Sequence, residues 1–217
     1  MNKNLFDELI NPNKNKMLLI VLDGLGGLQN ESGKTELETA HKPNLDKLSS
    51  ENETGDMIPI DIGITPGSGP GHLGLFGYEP TDYIIGRGIL EALGLEINVD
   101  KNTVTVRCNF ATMEKDHVIT DRRAGRISSE ENHRLVEKLK KKIKSIEGKQ
   151  IEFYTGKEHR FVLVIRNIKG SANVNDTDPQ ETGRKPIIAI SSNRDSEECA
   201  EIINKVYLKI VEILKDE

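Results

Sequence analysis

Cysteine is scarce in this chain, long apolar runs are missing and neither sign of charge dominates, and each shortage removes a class of protein. Only Cys108 and Cys199 occur, far apart and on differently patterned segments, which excludes a disulfide framework and fits a reducing cytoplasm. The longest apolar run, Met17–Leu22, is too short to span a bilayer, and the leader "MNKNLFDELINPNKNK" is too polar for the apolar region of a signal peptide. A soluble protein with no membrane partner is expected. The net charge is only −5 with 30% charged residues, so neither a nucleic-acid footprint nor an acidic tail is present, and small molecules or proteins are the expected partners. Internal repeats, low-complexity tracts and long linkers are also absent. What remains is a chain of 217 residues, enough to bury a core as one large domain or two small ones.

The patterning is that of an α/β protein. "MLLIVLDGLGG" reads as a strand buried on both faces and ending in Asp23 and glycines. Ligands gather at the carboxyl ends of strands in open α/β sheets, so Asp23 is placed either for a site or for capping the next turn. "KPNLDKLSSE" has Pro43 suited to a first helical turn and Leu45 and Leu48 on one face. "NTVTVRCNFATM" alternates as a half-buried strand, with Val104, Val106, Cys108 and Phe110 on one face. "SSEENHRLVEKLKKKIKSI" sets Ser128 and Glu131 at capping-box spacing before the stripe Leu135, Val136, Leu139 and Ile143. "HRFVLVIR" and "KPIIAIS" read as two more strands. A closing helix carries Cys199, Ile203, Val206, Ile210 and Leu214 on one face.

Chemistry is densest in "GITPGSGPGHLGLFGY". Glycine and proline there mark backbone that bends sharply or admits something close. Ser68 lies where the loop passes into an apolar, helix-like pattern, so its hydroxyl is expected near a helix N-terminus, where backbone N–H groups and the dipole favour anions. A serine becomes a nucleophile when a base takes its proton or a metal ion binds its oxygen. No Ser-His-Asp arrangement, G-x-S-x-G elbow or phosphate-loop lysine is legible. Metal activation, with Asp23 as a hard oxygen ligand, stands beside the plainer reading of Ser68 as a helix N-cap. His72 is expected to pack or bond locally, and His41, His117 and His133 to lie at the surface. Asp116-His117 falls in an expected hairpin turn.

The blocks "LIVLDGLGG", "GKTELETAHKPNLDKL", "TPGSGPGHLGLFGYEP", "GRGILEALG", "RCNFAT", "DRRAGRI" and "NDTDPQETG" together resemble the archaeal-type cofactor-independent phosphoglycerate mutases, a branch of the alkaline phosphatase superfamily. They occur in family order from about residue 17 onward. The resemblance implies part of an alkaline-phosphatase-like parallel sheet core, residues 1–87, carrying the nucleophile, and an inserted α/β substrate domain, residues 88–217. It implies Ser68 as the residue that accepts the phosphoryl group of phosphoglycerate and returns it to the other hydroxyl. It implies two divalent ions, manganese, magnesium or zinc, with Asp23 and Ser68 among their ligands. In the inserted domain it points to Arg122, Arg123, Arg126, His159 and Arg160 as substrate-binding residues. Guanidinium forks match both phosphate and carboxylate oxygens, although any one of these arginines could equally be a solvated side chain. Asp121, Asp176 and Asp178 are expected to cap turns or to orient the arginines.

The family takes most metal ligands from Asp and His motifs after the inserted domain, and this sequence does not contain them. The chain therefore reads as a truncated N-terminal half with an incompletely ligated metal site, completed by a C-terminal partner half or by homodimerisation. Apolar surface left by a missing sheet half would be the docking face. Two readings compete with mutase activity. One is another phosphotransfer of the superfamily, on homoserine or a phosphomonoester. The other is a non-catalytic module that binds a phosphorylated metabolite or a partner chain.

Overall fold

The computed structural model describes residues 8–22, 24–25, 27–64, 67–83, 85–114, 116–168 and 173–217. The chain divides into two compact units, one within Met1–Pro66 and Gly71–Pro80, the other comprising Gly67–Pro70 and Thr81–Glu217.

The first unit contains short helices α1 (Glu36–Thr39) and α2 (Pro43–Glu51) and most of α3 (Ser68–Leu75), whose opening residues Ser68–Pro70 group with the second unit. Thr35 and Glu38 cap α1 reciprocally: the Thr35 hydroxyl accepts from the Glu38 N–H at 3.2 Å, and the Thr35 N–H donates to the Glu38 carboxylate at 2.7 Å. Helix α2 starts at Pro43, as its missing N–H and fixed φ favour, but Leu45 and Leu48 remain exposed.

The expectation for Met17–Leu22 fails. These residues form no strand, and every one is at least half exposed, from 50% at Val21 to 96% at Met17. A strand buried on both faces exists only between neighbouring strands. All the strands among the described residues belong to the second unit and pair antiparallel, so nothing described gives this run a ladder. The parallel core sheet is correspondingly not seen, and the observed class is α/β with antiparallel pairing.

The second unit is built on a four-stranded antiparallel sheet in the order β1 (Thr103–Asn109), β6 (Arg160–Arg166), β5 (Lys149–Thr155) and β4 (Ser145–Ile146). A β2 (Thr112–Met113)–β3 (Ile119–Asp121) hairpin stands beside it. Central β6 is buried from Phe161 through Ile165, and its alternation divides two cores. Phe161, Leu163 and Ile165 join the larger core, together with residues from α5 (Ser129–Lys142) and α6 (Glu197–Leu214). Val162 and Val164 pack with Ala92 of α4 (Arg87–Gly94) and with Ile97. A period of two on a fully apolar strand thus serves helices on both faces.

Helix α5 follows its sequence signature in part. The Ser128 hydroxyl accepts from the Glu131 N–H at 3.2 Å, acidic residues fill the first turn, and Lys140–Lys142 fill the last, each matching the dipole. The return half of the capping box is lost because the Glu131 carboxylate is held by Arg134 at 2.7 Å. "KPIIAIS" is not a strand either. It pairs irregularly with 173–177, through the Val174–Ser191 bridge and the Ile187 N–H donating to the Thr177 carbonyl at 2.9 Å. The Asn204 side-chain amide completes Ala189 from the far side, accepting from its N–H and donating to its carbonyl, both at 2.9 Å.

Gly88 shows what "GRGILEALG" specifies. A Cβ there would lie 2.1 Å from the Thr105 carbonyl oxygen and 3.1 Å from the Val106 Cα, so α4 reaches the backbone of β1 only through glycine. Since backbone cannot move aside as a side-chain end can, Gly88→Ala is expected to cost about 1–3 kcal/mol by overpacking. A thermal midpoint unchanged in that variant would contradict the close approach.

Candidate functional site

The candidate side chains come from loops that the second unit holds rigidly. "DRRAGRI" leaves β3 through a turn in which Ala124, Gly125 and Arg126 all have left-handed backbone, with φ of 46°, 63° and 56°. Two of these are not glycine, so the conformation costs on the order of 1 kcal/mol at each and persists only if its surroundings fix it. Asp121 fixes it: its carboxylate accepts from the N–H of Arg123 at 2.7 Å and of Gly125 at 2.8 Å. These two bonds hold the Asp121 carboxyl below the usual range. The turn leaves Arg123 and Arg126 close enough to His159 for their charges to depress its titration.

"EHR" forms the turn between β5 and β6, with Glu158 in left-handed backbone at φ 54°. His159 is 7% exposed. Burial, then the positive charges of Arg160 and Arg123, hold its pKa below the ordinary value, with Glu158 opposing and Arg126 adding to the depression. Three buried polar atoms here lack a hydrogen-bond partner among the described residues: His159 Nδ1, Arg160 Nε and Asn132 Oδ1. Buried polar groups are nearly always paired, so their concentration in one place marks a site that expects a guest molecule, water or ligand.

Arg122 is committed differently. It grips Asp178 with both prongs, Nε to Oδ1 at 2.9 Å and Nη2 to Oδ2 at 2.7 Å, and donates also to Gln180 Oε1 at 2.7 Å. Asp178 in turn accepts from the Gln180 N–H at 2.9 Å, so it both caps its turn and clamps the arginine. The 183–184 segment pairs with Ile119 of β3 at 2.9 Å in both directions. "NDTDPQETG" is therefore the strap that closes over "DRRAGRI". Asp176 lies 3.6 Å from Arg87 on the surface.

The clamp titrates with a definite sign. Its Arg122 bonds hold Asp178 below the usual carboxylate range, so its stabilisation is present above the unfolded pKa near 4 and is lost as pH falls through the folded value. The depressed His159 acts in the same direction at higher pH: the unfolded chain binds the proton more readily, and stability declines once pH drops below about 6.5. Acid is thus expected to loosen the site in two stages. Asp178→Asn should remove the lower stage at a cost of about 1 kcal/mol or less, because the pair is roughly one-third exposed. Thermal midpoints measured across pH 3 to 8 check this, and a variant with the parent's full profile contradicts it.

Ser68 is the first residue of α3. The neighbouring Gly69 packs where a side chain cannot go without displacing Leu90 of α4: a Cβ would sit 2.6 Å from Leu90 Cδ1. That close approach fixes the helix start, which places the serine among N-terminal backbone N–H groups. His72 lies in the same helix, and Asp23 falls outside the described residues. Among the described residues no group of three or more His, Cys, Asp or Glu side chains is arranged to hold a metal ion. The described donors by themselves do not make up a two-ion cage. The Asp116-His117 turn is likewise no metal cluster, with His117 in left-handed backbone at φ 66°. No helix among the described residues is long and apolar enough to cross a membrane.

Sequence reasoning missed Asn132, which is fully buried. Its signal was a polar residue on the stripe that continues as Leu135, Val136 and Leu139, where a helix normally buries only apolar groups.

Fold and site together define an α/β protein whose strained turns concentrate guanidinium groups of the kind that match phosphate and carboxylate oxygens. The family model described as 2,3-bisphosphoglycerate-independent phosphoglycerate mutase matches residues 49–217. The chain is also 52% identical, over 97% of its length, to the "Probable 2,3-bisphosphoglycerate-independent phosphoglycerate mutase" of Aquifex aeolicus. It belongs to the 2,3-bisphosphoglycerate-independent phosphoglycerate mutase family. The protein of the same name in Thermosipho africanus is 49% identical over 97% of this chain. The alignments cover 53% and 52% of those two proteins, so the chain spans about half the length of the curated relatives it matches. Among solved structures, the cofactor-independent phosphoglycerate mutase from Thermoplasma acidophilum matches with a TM-score of 0.55 and 34% identity, covering 91% of this chain and 52% of that one.

Proposed function

We propose that the chain carries the phosphoryl acceptor and the substrate-holding domain of a phosphoglycerate mutase that interconverts 2- and 3-phosphoglycerate. The observation that supports this most is the grouping of His159, Arg160, Arg123 and Arg126 around unpartnered buried polar atoms. The substrate is anionic at both its phosphate and its carboxylate, and several guanidinium groups on rigid turns can engage both ends at once. Arg122, clamped by Asp178, contributes its charge and holds the strap in register.

In the proposed reaction the Ser68 oxygen forms a bond to phosphorus while the ester bond to the glycerate breaks. The hydroxyl proton leaves the serine and the departing alkoxide gains one. In the second half the phosphoserine ester breaks and the other glycerate hydroxyl takes the phosphoryl group, so the sum is isomerisation with no net gain or loss of atoms. The α3 N-terminus supplies N–H groups to the phosphoryl oxygens. Guanidinium groups keep the glycerate from leaving between the halves. Two divalent ions complete the proposal as cofactors, with Asp23 and Ser68 contributing to their binding. Because the described donors do not make a cage, the other ligands are assigned to the portion of the family's length that this chain does not span, or to a second copy. The exposed Met17–Leu22 run is the surface such a half would cover, adding the strands of a parallel core.

The same grouping of His159 with Arg160, Arg123 and Arg126 serves one second reading, a module that binds phosphoglycerate without turning it over. Calorimetric titration with 3-phosphoglycerate, glycerate and inorganic phosphate tests the shared core of both. The bis-anionic ester is expected to bind at least about tenfold more tightly than either piece. Equal affinities would remove the two-ended site.

A further inference from the structure

We propose that Asn132 is a positioning residue for substrate binding: its buried side-chain amide holds the strained turn that presents His159 and Arg160 to the anionic ligand. Asn132 lies in the first turn of α5 with no exposed surface. Its Nδ2 donates to the Glu158 carbonyl at 2.5 Å and to the Arg160 carbonyl at 2.7 Å, the two that flank His159. An amide facing two carbonyls must present its NH2, which has one hydrogen for each. Neither a hydroxyl, with one hydrogen, nor a carboxylate, with none, can substitute. The His159 carbonyl between them accepts from the Phe110 N–H at 2.7 Å. All three carbonyls of the "EHR" turn are thus occupied: the Arg160 carbonyl accepts from the Gly156 N–H at 3.0 Å as well as from Asn132, whereas Asn132 is the partner that reaches the Glu158 carbonyl across from a helix.

The strain shows why such a brace is needed. Glu158 sits in left-handed backbone, and the backbone bonds that close the turn, Gly156 N–H to the Arg160 carbonyl and Arg160 N–H to the Lys157 carbonyl, leave the Glu158 carbonyl to Asn132. Relaxation would swing His159 out of its buried position and carry Arg160 away from Arg123 and Arg126. The remaining amide oxygen of Asn132 is buried without a partner among the described residues. Placing it there opposes stability, as does any polar group on the apolar stripe. A residue chosen for packing alone would be leucine.

The inference rests on the proposed anionic site, and the experiment separates the two. Asn132→Leu keeps the volume and removes both donors; Asn132→Ser keeps a single donor that cannot span the two carbonyls and serves if the leucine variant does not fold. Val136→Ala, at a fully buried position one turn along the same helix, lowers stability without touching the turn. 3-Phosphoglycerate affinity is read by calorimetry, and the unliganded His159 titration by NMR, in all four proteins. The expected result is at least tenfold weaker binding in the Asn132 variants, with the His159 midpoint moved back toward its ordinary value. Val136→Ala should be less stable but unchanged in both readings. Parent-like affinity and titration in a folded Asn132 variant, or equal weakening in Val136→Ala, overturns the inference. If the parent binds no 3-phosphoglycerate, the site reading falls, while the His159 midpoints still judge the brace.

Discussion

Ser68→Ala is expected to abolish phosphoryl transfer while the chain stays folded and still binds 3-phosphoglycerate. The hydroxyl is the only atom removed, and in this reading it is the acceptor, so no partial route remains; the loss should be on the order of 10⁴-fold or more. Ester binding and the thermal midpoint of the variant separate loss of the acceptor from loss of folding. Isotopically labelled phosphoglycerate, supplied with manganese, makes the test direct: label accumulates on Ser68 in the parent and nowhere in the variant. Turnover or label uptake that survives the substitution rules out Ser68 as the acceptor; a parent that binds the ester and never takes up label favours the binding module, or a site completed only by the length this chain does not span. Neither result is mimicked by unfolding, because binding is followed in the same samples.

The second large effect belongs to Arg160. Its Nε is buried without a partner among the described residues, and its charge depresses the neighbouring His159 more than any other does. Arg160→Met keeps the length of the stem and deletes the fork, so the ester should lose a bidentate, charge-assisted contact and bind roughly 100-fold more weakly. His159, relieved of the adjacent cation, should titrate at higher pH. Arg122→Met differs in kind: it breaks the Asp178 clamp and should reduce stability along with affinity. Similar behaviour in the two variants, or a loss of affinity below threefold in Arg160→Met, contradicts the division of labour between them.

Local signals carried the second unit well. Helix α5 was legible because a capping serine, acidic first turn, apolar stripe and basic last turn agree over 14 residues. Strand β6 was legible as an unbroken β-branched and aromatic run, and β1 through its alternation. The failures share one cause. "LLIVL" has the composition of a buried strand, but composition does not supply neighbours, and none among the described residues pair with it. "KPIIAIS" lacked a regular partner and was taken up by the side chains of Asn175 and Asn204. The site was half legible. Clustered arginines are visible in short motifs, whereas the Arg122–Asp178 clamp joins residues 56 apart, and Asn132 reaches 26 to 28 residues along the chain. No local pattern encodes such distances: pairing of 183–184 with Ile119 of β3 brings the first pair together, and the packing of α5 against the β5–β6 turn brings the second.

The central claim, a site for a doubly anionic phosphorylated glycerate on the second unit, is tested most directly by backbone and His159 ring NMR during titration with 3-phosphoglycerate and, separately, with homoserine. Saturable shifts confined to the turns at 122–126 and 158–160, a rise in the His159 midpoint as the bound anions offset the surrounding arginines, and no response to homoserine are the predicted result. An equal response to homoserine, or no saturable shift at either turn, would contradict it.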